Sequence, residues 1–462
     1  MQIRFSYVLL LAAFALAGAF DVLFYDHAPT GINVLLADLL FLGVSLALAK
    51  TQNLRVPFAA KVAGGFALAF SATFAIWTSP WSLGFDYVGL IVANILFAVF
   101  LLGEAAHYRH PVEVLMHLVV TPVIHAIDAL PFTRTLMPQG LSPKDRSIVK
   151  AVLIAIPILL VFLAIFAGAD AVFRNVIDGA IDWIESWMDI ETLVSHGFFL
   201  GFFVVLFGLF FAAAFWKRRT PRAVEHASLS RAVLESKIIL GSVAVLFALF
   251  LIISGSTLFG FGSFADLGMT YSEYARQGFG QLSAAAALVI GLIMTLRVLH
   301  GETVDKRLTG LQAILLTEAG LVLISAFIRL GLYITAYGYT PARLFGLWFF
   351  ALVGVFLLMT LGNIIMRKPQ HALVTQMLIV TGVAILLFTV SAPDARSVRL
   401  NASWAQEHNE KFPLEDARHL SAEAAPALLD VTGLEFSDFE EDEGWQTWNF
   451  SRVRAKEIGK RN

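Results

Sequence analysis

Two arginines and three tyrosines stand close together in the stretch FIRLGLYITAYGYTPAR, residues 327–343, between two long apolar runs. Arg329 and Tyr333 are four residues apart, so on a helix their side chains share one face. Gly338 can take the backbone conformation that ends a helix and Pro341 can begin the next one, which predicts a tight helical hairpin. Guanidinium and phenol groups in this arrangement could bind an anion, or they could hold helix ends together.

A second polar stretch, FGFGSFADLGMTYSEYARQGFGQL, occupies residues 259–282 and contains five glycines. We expect it to reach the same side of the membrane as the first stretch, which predicts one Arg- and Tyr-rich cluster at the outer leaflet. The candidate binding residues are Tyr271, Glu273, Arg276, Glu318, Arg329, Tyr333, Tyr337 and Arg343.

Ionisable groups inside apolar helices are costly and are functional candidates by default. Those predicted within the spans are Asp38, Glu104, Glu318 and Arg329, whereas Asp21, Asp86, Lys61 and Arg297 lie near enough to helix ends to reach the surface. Glu318 and Arg329 are separated by three helical turns, about 16 Å. They cannot touch, but they could line one groove of a transporter.

The elements that position these residues follow from the composition. The chain is 58% hydrophobic and 15% charged, with a mean hydropathy of +0.75, which predicts a polytopic membrane protein. Its apolar runs predict an all-α bundle of about eleven transmembrane helices. They lie near 5–25, 31–49, 58–77, 85–106, 148–169, 193–216, 234–257, 279–299, 309–334, 341–366 and 372–391.

Several chemistries are excluded or disfavoured. The chain has no cysteine, so disulfides, thiolate catalysis and iron–sulfur clusters are excluded, and the net charge of −2 with no basic stripe argues against nucleic acid. His110, Glu113 and His117 have helical spacing that a metal could use, but an interfacial helix explains them better. We expect no metal, no cofactor and no enzymatic activity, because no nucleophile is paired with a base.

Orientation follows from the positive charges, which are retained on the cytoplasmic side. With a retained first helix and a cytoplasmic N-terminus, twenty Lys and Arg residues fall in cytoplasmic loops and three in outer loops before the tail. The three are Arg174, Arg276 and Arg343. An odd number of spans then places the C-terminus outside the cytoplasm.

Two domains and two interfacial helices are predicted. Residues 1–391 form the membrane domain, with interfacial helices near 110–130 and 170–191, and residues 392–462 form a small, partly helical, extracytoplasmic extension docked on the outer loops. In the helix near 170–191, apolar residues recur at helical spacing and acids fill the opposite face. These acids are Asp170, Asp178, Asp182, Glu185 and Asp189.

The motifs YSEYARQGFGQL and RLGLYITAYGYTPARLFGLWF, together with PLEDARHLSAEAAPALL and WNFSRVRA in the tail, resemble a family of bacterial polytopic membrane proteins. This family is known as domain of unknown function 4173, related to domain of unknown function 4153. The resemblance is specific from about residue 240 onward. It implies an integral protein of the bacterial cytoplasmic membrane with no established activity, cofactor or substrate.

Three functions therefore remain open. The Arg/Tyr cluster is either structural or binds an anionic lipid headgroup or small anion. Alternatively the protein is a secondary transporter that uses Glu318 and Arg329, or a sensor or scaffold that meets a protein partner through the C-terminal extension. In each case the lipid bilayer is the first partner.

Overall fold

The structure, a computed structural model of the chain, describes residues 16, 18–20, 22–24, 30–51, 53–101, 142–185, 229–258, 279–300, 305–417, 419–433 and 444–459. Every regular element in these ranges is a helix, which confirms the predicted all-α bundle. Eight described helices are long and apolar enough to cross a membrane. The spans predicted near 5–25 and 193–216 lie largely or wholly outside these ranges, so the total of about eleven stays a prediction.

The helices are numbered here in chain order. They are α1 (Ile32–Thr51), α2 (Phe58–Thr73), α3 (Pro80–Leu101), α4 (Pro143–Ala169), α5 (Ala171–Glu185), α6 (Leu229–Leu258), α7 (Phe279–His300), α8 (Lys306–Tyr337), α9 (Pro341–Ile365), α10 (Gln370–Val390), α11 (Pro393–His408), α12 (Leu414–Ala417), α13 (Ala425–Thr432) and α14 (Phe450–Ile458). Short 3₁₀ turns occupy Ala422–Ala424 and Trp445–Thr447.

The chain forms two compact units, which are described separately. Unit 1 contains Met1–Arg109, Ile334–Phe349 and Gln376–Asn462, and unit 2 contains His110–Tyr333 and Phe350–Thr375. The predicted domain boundary after residue 391 falls between α10 and α11, inside unit 1. The interfacial helix predicted near 110–130 lies outside the described residues, and the one near 170–191 corresponds to α5.

In unit 1, α2 and α3 pack closely because small residues face large ones. Ala60 and Ala67 on α2 are fully buried, and Gly89 on α3 lies against the ring of Phe70. A Cβ atom at Gly89 would come within 2.6 Å of that ring, so glycine allows the close approach. Helix α2 ends at Thr73, four residues before the predicted span end at residue 77.

In unit 2, phenylalanines fill the contact between α4 and α6. Phe166 and Phe250 stack with ring centroids 4.1 Å apart, and Phe247 meets Phe166 edge to face at 4.8 Å. Aromatic pairs of this kind contribute beyond their buried area.

One end of α8 in unit 2 is capped by Asp305. Its Oδ1 accepts a hydrogen bond from the Leu308 N–H (2.8 Å), and its Oδ2 pairs with Lys237 Nζ (2.9 Å). The hydrogen bond from Lys237, together with that from the Leu308 N–H, lowers the pKa of the Asp305 carboxyl below its ordinary value. Asp305 therefore joins the start of α8 to α6.

The C-terminal extension has a small core of its own. Val398 of α11 packs with Ala424, Ala427 and Leu428, which follow in the 3₁₀ turn and in α13. These residues are short and apolar at helical spacing, so they bury one face of each short helix.

The extension also contacts the start of α1. The Ile32 N–H donates to the Trp448 carbonyl (2.9 Å), and the Arg452 guanidinium donates to the Thr30 carbonyl (2.9 Å). Gly31 stands between these contacts, and a Cβ atom there would lie 2.6 Å from the Trp448 carbonyl oxygen. Glycine is required at this position because the opposing atoms are backbone.

We predict that Gly31→Ala weakens the attachment of the extension and costs about 1–3 kcal/mol, the usual range for overpacking. The measurement is the thermal unfolding midpoint of the purified chain, with limited proteolysis of the extension as a second readout. Gly43→Ala, within α1, is the control, since nothing lies within 4 Å of a Cβ atom there. Equal midpoints for the two variants would contradict the prediction.

Candidate functional site

Arg329 in unit 2 is fully enclosed, with an exposed side-chain fraction of 1%. Its Nη2 atom lies 2.8 Å from Asp170 Oδ2, and its Nη1 atom donates to the Ala169 carbonyl at 3.0 Å. The partner carboxylate is equally buried, at 2%. The pair is therefore a desolvated, charge-assisted contact between α8 and the junction of α4 and α5.

Asp170 stands between α4 and α5 and uses both carboxylate oxygens. Its Oδ1 accepts from the Phe173 N–H (3.0 Å), which caps the start of α5, and from the Ser254 hydroxyl of α6 (2.9 Å). The sequence pattern put Asp170 on the acidic face of the amphipathic helix, and this was wrong. The residue precedes the helix, and its role as cap turns the side chain inward.

The contacts of Arg329 and Asp170 join α5, α6 and α8. We call this set of contacts the clamp. Removing one partner would leave an uncompensated charge in an apolar interior, which is strongly destabilising. The clamp can therefore hold α5 in a fixed position against α6 and α8.

Two other candidate residues belong to the same helix. Tyr333 lies one turn after Arg329 and is half buried. Glu318 is also half buried, and within the described part of the chain its Oε2 atom is enclosed without a hydrogen-bond partner. The groove predicted to join Glu318 and Arg329 stays a prediction.

The remaining described candidates, Tyr337 and Arg343, flank the α8–α9 turn in unit 1. Arg343 Nη1 donates to the carbonyls of Tyr337 (2.9 Å) and Gly338 (2.7 Å), and its guanidinium carbon lies 5.9 Å from the Tyr337 ring centre. Gly338 has φ 73°, a conformation that favours glycine. Asn401 of α11 holds the turn by bonding the Tyr339 N–H (2.6 Å) and carbonyl (2.7 Å).

Three predicted site residues lie outside the described residues. They are Tyr271, Glu273 and Arg276, within residues 259–278. The same holds for Glu104, His110, Glu113 and His117. In the ranges that are described, no group of three or more His, Asp or Glu side chains could hold a metal ion.

The sequence did not point to a densely bonded region of unit 1. Residues 74–79 connect α2 to α3, and each of them gives a backbone group to the extension. Four carbonyls accept hydrogen bonds from residues 449–451. The pairs are Asn449 Nδ2 to Phe74 (2.8 Å) and Trp77 (3.0 Å), the Phe450 N–H to Ala75 (2.9 Å) and the Ser451 hydroxyl to Ile76 (2.6 Å).

Glu423 completes these contacts at the start of α3. Its Oε2 accepts from the N–H groups of Thr78 and Ser79, both at 3.3 Å, and its Oε1 accepts from the Asp394 N–H at 3.1 Å. Asp394 is also buried and accepts from the Ser79 hydroxyl (2.9 Å) and the Ser421 N–H (2.9 Å). We call the contacts of residues 74–79 with Glu423, Asp394 and residues 449–451 the latch.

The latch encloses two acids side by side. Burial, and then the charge of neighbouring Asp394, raises the pKa of Glu423 to about 7, although three backbone N–H groups act in the opposite direction. Glu423 therefore changes its charge near neutral pH.

The signals for the latch were weak in the sequence. Asn449 precedes a helical run and caps α14 through its side chain, and the local sequence is sufficient to predict such a cap. The local sequence does not predict the contact of Asn449 with a loop 375 residues away.

Eight described apolar helices and an all-helical fold make this chain a multi-pass membrane protein. The family model described as Domain of unknown function (DUF4153) matches residues 64–431, and the chain belongs to this family. The matched range contains Arg329 and Arg343 and ends before the WNFSRVRA segment. The assignment to the related family 4173 stays a prediction. No curated protein and no solved structure matches the chain.

We predict that Arg329→Ala destabilises the protein by about 3–5 kcal/mol, because Asp170 is left buried and charged. The double variant Arg329→Met with Asp170→Asn should recover much of the loss, since it removes both charges, retains volume and keeps a side-chain oxygen that can accept from the Phe173 N–H. The measurement is the thermal unfolding midpoint in detergent. A double variant no more stable than Arg329→Ala would contradict the role of the clamp.

We also predict that stability falls with rising pH between about 4.5 and 7, because the folded chain binds a proton at Glu423 more tightly than the unfolded chain does. The contribution of protonated Glu423 to the free energy of unfolding is fully present below the ordinary pKa of a glutamate. It is lost as the pH rises through the raised pKa of the folded chain. Its size is up to about 3 kcal/mol.

Glu423→Gln should remove this part of the pH dependence, as measured by the thermal unfolding midpoint across the pH range. Glu407→Gln is the control, because that side chain is exposed on α11. An unchanged pH profile in Glu423→Gln would contradict the prediction.

Proposed function

We propose that the protein is a non-enzymatic scaffold of the bacterial cytoplasmic membrane, and that its membrane helices present the C-terminal extension outside the cytoplasm to a protein partner. The observation that carries the proposal is the latch. Buried polar groups of the extension bond all six residues of loop 74–79, so the extension is a fixed part of unit 1. A surface that must bind a partner gains affinity when it is held rigid.

The described arginines of the predicted cluster support the scaffold over a ligand pocket. Arg329 is bonded to Asp170 and enclosed, and Arg343 donates to the carbonyls of its own turn. Binding an anionic headgroup through either guanidinium would require breaking these contacts. We therefore assign both arginines a structural role.

The charge of the extension indicates the chemistry of the partner. Residues 392–462 contain fourteen acidic and nine basic residues, a difference of five negative charges. Four exposed acids lie at the end of α11, in the turn after it and in α12, with the exposed Lys411 among them: Glu407, Glu410, Glu415 and Asp416. We call them the acidic patch. A basic protein surface complements this charge.

One observation favours a second candidate function, a secondary transporter. Glu318 has an enclosed Oε2 atom, and acids placed inside membrane helices in this way are used by proton-coupled transporters. The burial of Arg329 in the clamp weighs against the part of this hypothesis in which Arg329 binds substrate.

The absence of native cysteine makes a single introduced cysteine a specific reporter. In intact cells we expect a membrane-impermeant maleimide to label Glu410→Cys, and to label Arg55→Cys only after permeabilisation. A photoreactive maleimide on Glu410→Cys should then give one discrete adduct. Neutralising Glu407, Glu415 and Asp416 as Gln, Gln and Asn should abolish that adduct.

The matched control neutralises Asp430 and Glu457, two exposed acids of the extension outside the acidic patch, and should retain the adduct. Labelling of Glu410→Cys only after permeabilisation would overturn the proposed orientation. An adduct that survives neutralisation of the acidic patch, or no discrete adduct, would overturn the proposed partner surface.

A further inference from the structure

Asp86 lies six residues into α3 and is completely buried. The sequence suggested that it could reach the membrane surface, and this was wrong: α2 and α10 enclose it. Its Oδ2 atom accepts from the Thr389 hydroxyl at 2.9 Å. Within the described part of the chain, its Oδ1 atom is enclosed and has no hydrogen-bond partner.

The side chains that face this carboxylate are neutral. Thr389 comes from α10 and Thr73 from α2, and each is a hydroxyl that also lies near a carbonyl of its own helix. The two separations are 2.6 Å from Thr73 to the Phe70 carbonyl and 3.2 Å from Thr389 to the Ile385 carbonyl. Each hydroxyl has one proton and two lone pairs, so it can donate to the carboxylate, as Thr389 does, or donate to its carbonyl and offer an oxygen lone pair to a cation held at Asp86.

No charged side chain faces Asp86 among the described residues of α2, α3 and α10. An ionised carboxylate in an apolar interior without a compensating charge is strongly unfavourable. Asp170 in unit 2 obtains compensation from Arg329, whereas the described side chains that bond Asp86 are hydroxyls.

We propose that Asp86, Thr73 and Thr389 form a binding site for a monovalent cation, either a proton or a sodium ion. The site offers two carboxylate oxygens and two hydroxyl oxygens, the hard donors that suit a proton or an alkali cation. It has a single negative charge, so a divalent cation would leave a net positive charge buried. The match of charge therefore selects a monovalent ion.

The site lies next to the latch along the chain. Thr73 is the last residue of α2 and directly precedes loop 74–79, and Thr389 is followed closely by the start of α11. A cation that joins Thr73 to Thr389 through Asp86 therefore stabilises the elements to which the extension is attached. This inference does not depend on the proposed protein partner.

Asp38 in the same unit provides a comparison. Both of its oxygens are bonded, Oδ1 by the Asn94 amide (2.8 Å) and Oδ2 by the Ser71 hydroxyl (3.1 Å). Asp38 is thus a buried carboxyl in which each oxygen accepts a hydrogen bond from a neighbouring helix, unlike Oδ1 of Asp86 within the described residues. Asp38→Asn is the matched control for Asp86→Asn.

The experiment measures the thermal unfolding midpoint of the full chain in detergent. Sodium chloride is compared with choline chloride at equal ionic strength, and pH is varied in choline chloride. All variants carry Glu423→Gln, so that the acid of the latch does not contribute. Saturating cation should raise the midpoint by a few degrees, by preferential binding to the folded chain.

A midpoint that rises with sodium and not with choline identifies a sodium ion. If the unfolding midpoint does not change with sodium and falls as pH rises, the bound cation is a proton. In either case Asp86→Asn should remove the dependence and Asp38→Asn should retain it. A chain that responds to neither ion, or an Asp86→Asn chain with the parent's response, overturns the proposal.

Thr389→Val is the second variant, used should Asp86→Asn fail to fold. It retains the carboxylate and the side-chain shape but removes one oxygen ligand. If the ion is sodium, we expect its concentration at half effect to rise about tenfold, the equivalent of one ordinary hydrogen bond. If the ion is a proton, its concentration at half effect should fall instead, because the hydroxyl that valine removes donates to the ionised carboxylate. An unchanged cation concentration at half effect would rule out Thr389 as a ligand and overturn the site as proposed.

Discussion

The hydrogen bonds between loop 74–79 and the extension are the constraint on which unit 1 depends. Buried backbone carbonyls need hydrogen-bond partners, and the four that directly follow α2 obtain them from Asn449, Phe450 and Ser451. The bonded residues are up to 375 positions apart, so the connection between α2 and α3 makes these contacts only when nearly the whole chain is present. Closing so long a loop costs conformational entropy.

Buried charge is handled differently in the two units. In unit 2, Arg329 and Asp170 neutralise each other, and the remaining carboxylate oxygen caps α5 and bonds α6. In unit 1, Asp86 and Asp38 are surrounded by hydroxyl and amide groups without a described counter-charge. The first arrangement pairs each buried charge with an opposite one inside the protein. The second is where we propose that a cation supplies the opposite charge.

The sequence predicted the helices better than it predicted their contacts. Apolar runs gave α8 and α9 closely, and Gly338 with Pro341 gave the turn between them, since these signals are local. The buried state of Arg329 was not predictable, because its partner Asp170 looked like one acid of an exposed helix face. The position of an ionisable group along its helix does not say which side chain of another helix will face it. That partner decides whether the group is held in a fixed ion pair or can bind and release a cation.

The loop of the latch begins directly after Thr73, a residue of the proposed Asp86 site, so thermodynamic linkage can relate the two. A cation at Asp86 can strengthen the attachment of the extension only to the degree that it binds the attached form more tightly than a detached one. Linkage is reciprocal, so a partner that holds the extension in place would raise the affinity of Asp86 for its cation by the same factor. Glu423 acts with the opposite sign when it ionises, since its charge is buried beside Asp394. The attachment of the extension to unit 1 would then respond to a proton at either acid in the same direction, becoming firmer at lower pH.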